Sequence, residues 1–206
     1  TNRSVTVNAD AYGDGEFYFK ARVVDQAGNW SESAVLKYYR DLTPPKAPVL
    51  LPFDTDRFGF AASSELNLLW EKNPSDTDIA GYSWTMTKAG DLNKIFNDSP
   101  RHSVNITDSQ AEKLFAEIES KKDSYLAKGK KPPRSVLTKK DSMLFSNYKN
   151  GIYVFSVCAI DEVGNVGLPS SQIVVINKYK PFTYISGLNT KKDEYGNLVI
   201  SVYGQD

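Results

Sequence analysis

A chain of 206 residues is long enough for one or two packed domains. Its 25 basic and 25 acidic side chains balance, which argues against a globally basic nucleic-acid binder and against an acidic tail protein. No apolar run reaches the ~20 residues that a helix needs to span a bilayer, and one cysteine, Cys158, leaves no disulfide to form within the chain.

In chain order, Phe17, Phe19, Ala21 and Val23 alternate with Tyr18, Lys20, Arg22 and Val24. Period-two alternation predicts a strand with one buried face. The turn DQAGN follows at 25–29, where Asp25 can accept the turn's own amides and Gly28 can take a positive φ. Residues 34–39 read as the returning strand. Thr43-Pro44-Pro45-Lys46-Ala47-Pro48 then reads as a short, semi-rigid linker.

Leu66, Leu68 and Trp70 predict a further strand, Pro74-Ser75-Asp76 a turn, and Tyr82, Trp84 and Met86 another strand. Between Lys88 and Lys140 the period changes. Ala111, Leu114, Phe115, Ile118 and Tyr125 recur at helical spacing, and this stripe is expected to pack on the sheets. Thr107 to Gln110, or Ser109 with Glu112, offers a capping box, and Gly129 with Pro132-Pro133 ends the helix. Met143 and Phe145 open the next strand. The wording of the first hairpin then returns as GIYVFSVCAIDEVGN (151–165), with Tyr153, Phe155, Val157 and Ala159 inward. Cys158 falls on the other face, in line with Arg22, as a structural thiol.

LNLLWEKNPSDTDIAGYSW (66–84) and GIYVFSVCAIDEVGN (151–165) resemble the fibronectin type III family in its bacterial form, and a related immunoglobulin-like sandwich reads similarly. The resemblance covers most of residues 43–88 and 141–177, plus a half-module at 1–42. It implies an all-β fold of tandem sandwich modules, with Trp70 as the core tryptophan of strand B, Tyr82 as the strand C tyrosine and Tyr153 as that of strand F. It implies an adhesive or spacing role and no chemistry. On this reading residues 1–42 are the last strands of one module. Residues 43–177 are a whole module with a helical insertion at about 89–140, longer than the roughly 100 residues usual for a sandwich. Residues 178–206 are the first strands of another, with Leu198, Ile200 and Val202 inward. The two ends are expected to complete each other by strand exchange between chains or, preferably, to belong to a longer protein.

The expected function is that of a non-enzymatic structural or interaction segment of a larger bacterial envelope or secreted protein, periplasmic or at the cell surface, with no cofactor. The insertion is the expected contact surface. Between residues 121 and 140, Lys121, Lys122, Lys128, Lys130, Lys131, Arg134, Lys139 and Lys140 face one acid, Asp123. Lys128, Lys130, Lys131 and Arg134 are therefore candidates for binding an acidic protein or an anionic envelope polymer. The plainer reading is a solvated helix end, where lysines suit the dipole. Nucleic acid is not expected, because no aromatics interleave the cluster.

The alternative is an accessory carbohydrate-binding or spacer region of a secreted carbohydrate-active enzyme, which exposed aromatics lined along one face would favour. His102 is the one histidine, so no histidine-based metal cluster is expected, and no nucleophile motif is present. Asp54, Asp56, Asp76 and Asp78 read as loop carboxylates. One carboxylate per DxxGN turn is too few for a calcium cage. Sequons begin at Asn2, Asn29 and Asn105 and matter only in a eukaryotic secretory pathway.

Overall fold

The computed structural model describes residues 4–8, 12–61, 65–92, 108–177 and 184–205. Among the described residues, ten strands and two helices follow one another: β1 Gly15–Ala21, β2 Ala34–Arg40, β3 Val49–Leu50, β4 Glu65–Glu71, β5 Ile79–Gly90, α1 Asp108–Ser120, α2 Lys122–Leu126, β6 Ser142–Ser146, β7 Gly151–Asp161, β8 Ser170–Ile176, β9 Tyr184–Lys192 and β10 Leu198–Gln205. Two three-stranded antiparallel sheets, β3-β4-β6 and β5-β7-β8, form a sandwich.

The sandwich core follows from the alternation. Leu66, Leu68 and Trp70 of β4 and Phe145 of β6 meet Tyr82 of β5, Tyr153, Phe155, Val157 and Ala159 of β7, and Val174 and Ile176 of β8. The Trp70 ring lies 5.6 Å from that of Tyr82, edge to face, and 5.8 Å from that of Phe155. The Tyr153 hydroxyl donates to the Lys149 carbonyl at 2.9 Å, which ties the start of β7 to the loop before it. After β3 the chain crosses to the far edge of the other sheet. There Ala61 N–H donates to Val175 O at 2.8 Å, a parallel bridge beside β8.

β7 has a second buried face, and every residue from Gly151 to Asp161 is buried. Ile152 and Val154, with Val175 and Phe60, form a second core under Ala111, Leu114 and Ile118 of α1 and Tyr125 of α2. The helical stripe therefore packs on the outer face of the β5-β7-β8 sheet. The expected single helix is two, broken at Lys121, and it stops at Leu126, before Gly129 and the prolines. Phe115 lies off the stripe and is 47% exposed, because on an α-helix the arc set by Ala111, Leu114 and Ile118 turns position 115 toward solvent. Thr107 lies outside the described residues.

The chain then returns along the free edge of β5. Thr85 Oγ1 donates to Lys130 O at 2.8 Å, Lys130 N–H to Thr87 Oγ1 at 3.1 Å, Leu137 N–H to Tyr82 O at 2.9 Å and Tyr82 N–H to Thr138 O at 2.8 Å. Residues 130–138 thus cover an edge that would otherwise offer itself to another chain.

The proline segment is not a spacer in solvent. Pro45 and Pro48 are buried, Lys46 N–H donates to Asp76 Oδ2 at 3.0 Å, Asn165 Nδ2 donates to Asp41 O at 3.1 Å, and the Ser170 hydroxyl reaches Pro48 O. Gly167 permits this docking: a Cβ there would stand 2.3 Å from Pro45 O. Fixed φ and the lack of an amide donor suit proline to lie against the sheet edge as well as to span a gap.

Outside the sandwich, β1 pairs with β2 and β9 with β10, each as a two-stranded antiparallel sheet. The expected buried faces are open. Phe19 is 40% exposed and Val23 72%, and Leu198 and Ile200 are also exposed; the side chain of Val202 and Pro181 lie outside what is described. A lone hairpin has no second sheet to cover it.

The DxxGN turn occurs three times, the third copy being DEYGN at 193–197. In each copy Oδ1 of the aspartate accepts two backbone amides, those of Ala27 and Asn29, of Val163 and Asn165, and of Tyr195 and Asn197. The glycine has φ of +88°, +94° and +84° in turn, a region that side chains disfavour. The Asn29 side chain, followed by the turn amides, holds the Asp25 carboxyl below its ordinary value of 3.8, and the Asn197 side chain acts likewise on Asp193. A lowered folded value means that each turn's contribution is complete above the ordinary value and is lost as pH falls through the folded one. The Asn29 and Asn197 amide resonances are expected to hold steady down to pH about 4 and to shift below it; movement centred above that would contradict the arrangement.

Candidate functional site

The basic stretch that follows α2 is displayed on the strap along β5. Lys130, Lys131 and Arg134 are exposed there, while the backbone of Lys130 is fixed at both its N–H and its carbonyl. Lys128 is committed inward: its ammonium donates to Ala89 O at 3.0 Å and sits 4.9 Å from the centre of the Tyr125 ring. Lys121 is paired with Glu117 at 2.8 Å, an i,i+4 contact on α1 that lifts the lysine above its usual range. All four candidate residues are exposed; the Lys130 backbone is tied to β5, and the Lys128 ammonium is tied to Ala89 O. Lys139 lies further along, in an open depression shared with Lys72, Tyr82, Val136 and Glu162.

On one face of the β1-β2 hairpin, Tyr18 and Tyr39 are exposed. Lys37 lies over both rings, 5.9 Å and 4.9 Å from their centres, and bonds Glu16 at 2.7 Å. One face of each ring is therefore met by a cation, while Tyr18 stays 56% and Tyr39 69% exposed. The other face carries Phe17 against Tyr38 at 5.5 Å, with Phe19 and Leu36 alongside.

The loop carboxylates have separate tasks. Asp56 Oδ1 accepts Phe58 N–H and Phe60 N–H, both at 2.9 Å, and so aims Phe60 into the second core. Asp76 holds Lys46. Asp78 stands with Asp41 and Asp161, one carboxylate oxygen from each lying within 4.8 Å of the others. Each DxxGN turn does contribute one carboxylate, but the fold brings two more to the turn at 161–165. Sequence reasoning missed this group because its members come from three distant segments. The one local sign was the aspartate that precedes the proline segment.

Cys158 is buried, and burial pushes its thiol up, away from the reactive thiolate. His102 and the sequons at Asn2 and Asn105 lie outside the described residues, whereas Asn29 is within a described turn. Among the described residues no helix is long and apolar enough to cross a membrane.

A scan against protein-family models finds no match to the chain, and a search of curated proteins finds none. Among solved structures the chain is similar to a fibronectin type-III domain of human fibronectin type III domain containing protein 3, known from a solution structure. The TM-score is 0.33 and the identity 13%, over 67% of this chain and 93% of that one. The chain is mostly β-sheet with few helices, in keeping with an all-β sandwich of the fibronectin type III or immunoglobulin-like kind, and this rests on its own strand pairing and core.

Proposed function

We propose that the chain is a non-catalytic structural and interaction segment of a larger bacterial envelope or secreted protein, built from tandem sandwich modules with a helical insertion in the central one. One observation carries the reading. The β1-β2 and β7-β8 hairpins have the same register and the same turn. Phe17 stands opposite Tyr38 and Phe19 opposite Leu36, as Tyr153 stands opposite Val174 and Phe155 opposite Gln172. The second hairpin has its inner face covered by β3-β4-β6; the first has the matching face open. A two-stranded hairpin with an apolar face is marginal by itself, so the open face is suited to strands of a neighbouring module.

Contact with a partner is assigned to Lys130, Lys131 and Arg134, whose charge is displayed on a strap tied to β5 at Lys130 and at Leu137 and Thr138. Anionic partners, an acidic protein or an envelope polymer, fit them. The test is salt elution from immobilised polyglutamate, followed by capture from envelope extract. A Lys130→Glu, Lys131→Glu, Arg134→Glu variant is expected to keep its melting temperature within about 2 °C and to elute at lower salt than the parent chain. Identical elution of the two folded proteins would remove the binding role and leave a spacer.

A further inference from the structure

The three DxxGN turns differ at one atom. In the turn at 25–29 the Asn29 side chain donates to Asp25 Oδ2 at 3.0 Å, and in the turn at 193–197 Asn197 does the same for Asp193 Oδ2 at 3.0 Å. In the turn at 161–165 the asparagine is turned away. Asn165 Nδ2 bonds Asp41 O instead, at 3.1 Å. Asp161 Oδ2 is left with no hydrogen-bond partner, on a residue that is 2% exposed. Buried carboxylate oxygens are rarely left so, because an ionised group out of water needs a partner.

Asp161, the residue that carries this orphan oxygen, belongs to the group in which Asp41, Asp78 and Asp161 each bring one carboxylate oxygen within 4.8 Å of the others. Asp41 is on the segment that leaves β2, where its Oδ1 accepts Thr43 N–H at 2.9 Å. Asp78 immediately precedes β5, and its carbonyl accepts Glu162 N–H at 3.0 Å, which holds it beside the turn. Three negative charges at this spacing repel one another unless a cation stands between them.

We propose that Asp41, Asp78 and Asp161 form a calcium site that joins the segment after β2 to the sandwich. The donors are all hard oxygens, with neither imidazole nor thiolate, which selects against transition metals. Asp161 supplies the buried oxygen and Asp78, which is exposed, the solvent side, where water completes the six to eight ligands that calcium takes. An affinity of about 0.1–1 mM is expected, as in extracellular calcium modules. The bound ion would couple three segments and fix the hairpin's exit against the ends of β5 and β7.

The test uses the full chain with calcium chloride alone. Addition to about 10 mM after chelation is expected to raise the melting temperature by about 5 °C, with one ion bound per chain by titration calorimetry. Asp78→Ala removes an exposed carboxylate and leaves the turn intact. Asp161→Asn keeps an Oδ1 acceptor for Val163 and Asn165. Both are expected to weaken calcium binding at least tenfold, whereas Asp25→Asn, the same change in a turn whose Oδ2 is already used, leaves it unaltered. No heat and no thermal shift in the parent chain would overturn the site, as would equal responses in the parent, Asp78→Ala and Asp161→Asn proteins. An equal response to magnesium would overturn the choice of calcium. None of these readouts depends on the chain being a spacer or on the basic strip binding a partner.

Discussion

Trp70→Ala is expected to destabilise the sandwich by about 3–5 kcal/mol, the usual cost of truncating a large buried aromatic. Trp70 is 1% exposed and packs against the rings of Tyr82 and Phe155, from two of the three strands of the opposite sheet. The indole adds a twist: Trp70 Nε1 is buried with no acceptor. Phenylalanine removes that orphan donor, whose burial costs roughly 1–3 kcal/mol, while keeping much of the ring. Trp70→Phe is therefore expected to cost clearly less than Trp70→Ala. Urea unfolding of the three proteins checks both statements. A parent-like midpoint for Trp70→Ala would mean that the tryptophan is not between the sheets.

The second large effect is expected at Leu114, which is fully buried on the inner side of α1 against the outer face of β7. Leu114→Ala should cost about 2–5 kcal/mol. Its sequence neighbour provides the control. Phe115 is the larger residue but is 47% exposed at the edge of the stripe, so Phe115→Ala should cost clearly less than Leu114→Ala. If the two costs were reversed in a denaturant titration, the helix would be rotated from the phase described.

Strands with one buried face were legible. Alternation located β4, β5 and the inner face of β7, and the resemblance placed Trp70, Tyr82 and Tyr153 where the core has them. What alternation hid was the second face of β7. Ile152 and Val154 sit between apolar neighbours, so a strand buried on both sides reads as a continuous run in which no face stands out. The helical stripe was legible as a stripe, but its edge was not: Ala111, Leu114 and Ile118 fix the arc, and Phe115 looked equal to them until the sheet beneath chose three of the four. The terminal hairpins were legible as strands, but alternation alone could not show that neither pairs with a second sheet among the described residues. The carboxylate group was the least legible, because Asp41, Asp78 and Asp161 have nothing in common along the chain except distance. The third DxxGN turn, at 193–197, was readable from the letters alone and needed only a longer search for repeats.

The double burial of β7 makes α1 and α2 hard to lose. A loop that merely decorates a sandwich can shorten by deletion, one step at a time, with little penalty. Here, removing α1 and α2 would bare Ile152, Val154, Val175 and Phe60 together, a contiguous apolar patch on a face that other sandwiches of this kind leave wet. Losing them would require polar residues at several of these positions before or with the deletion, and each such change is damaging while the helices remain. The two helices are therefore locked in by the strand beneath them, while the exposed strip that follows them is free to vary.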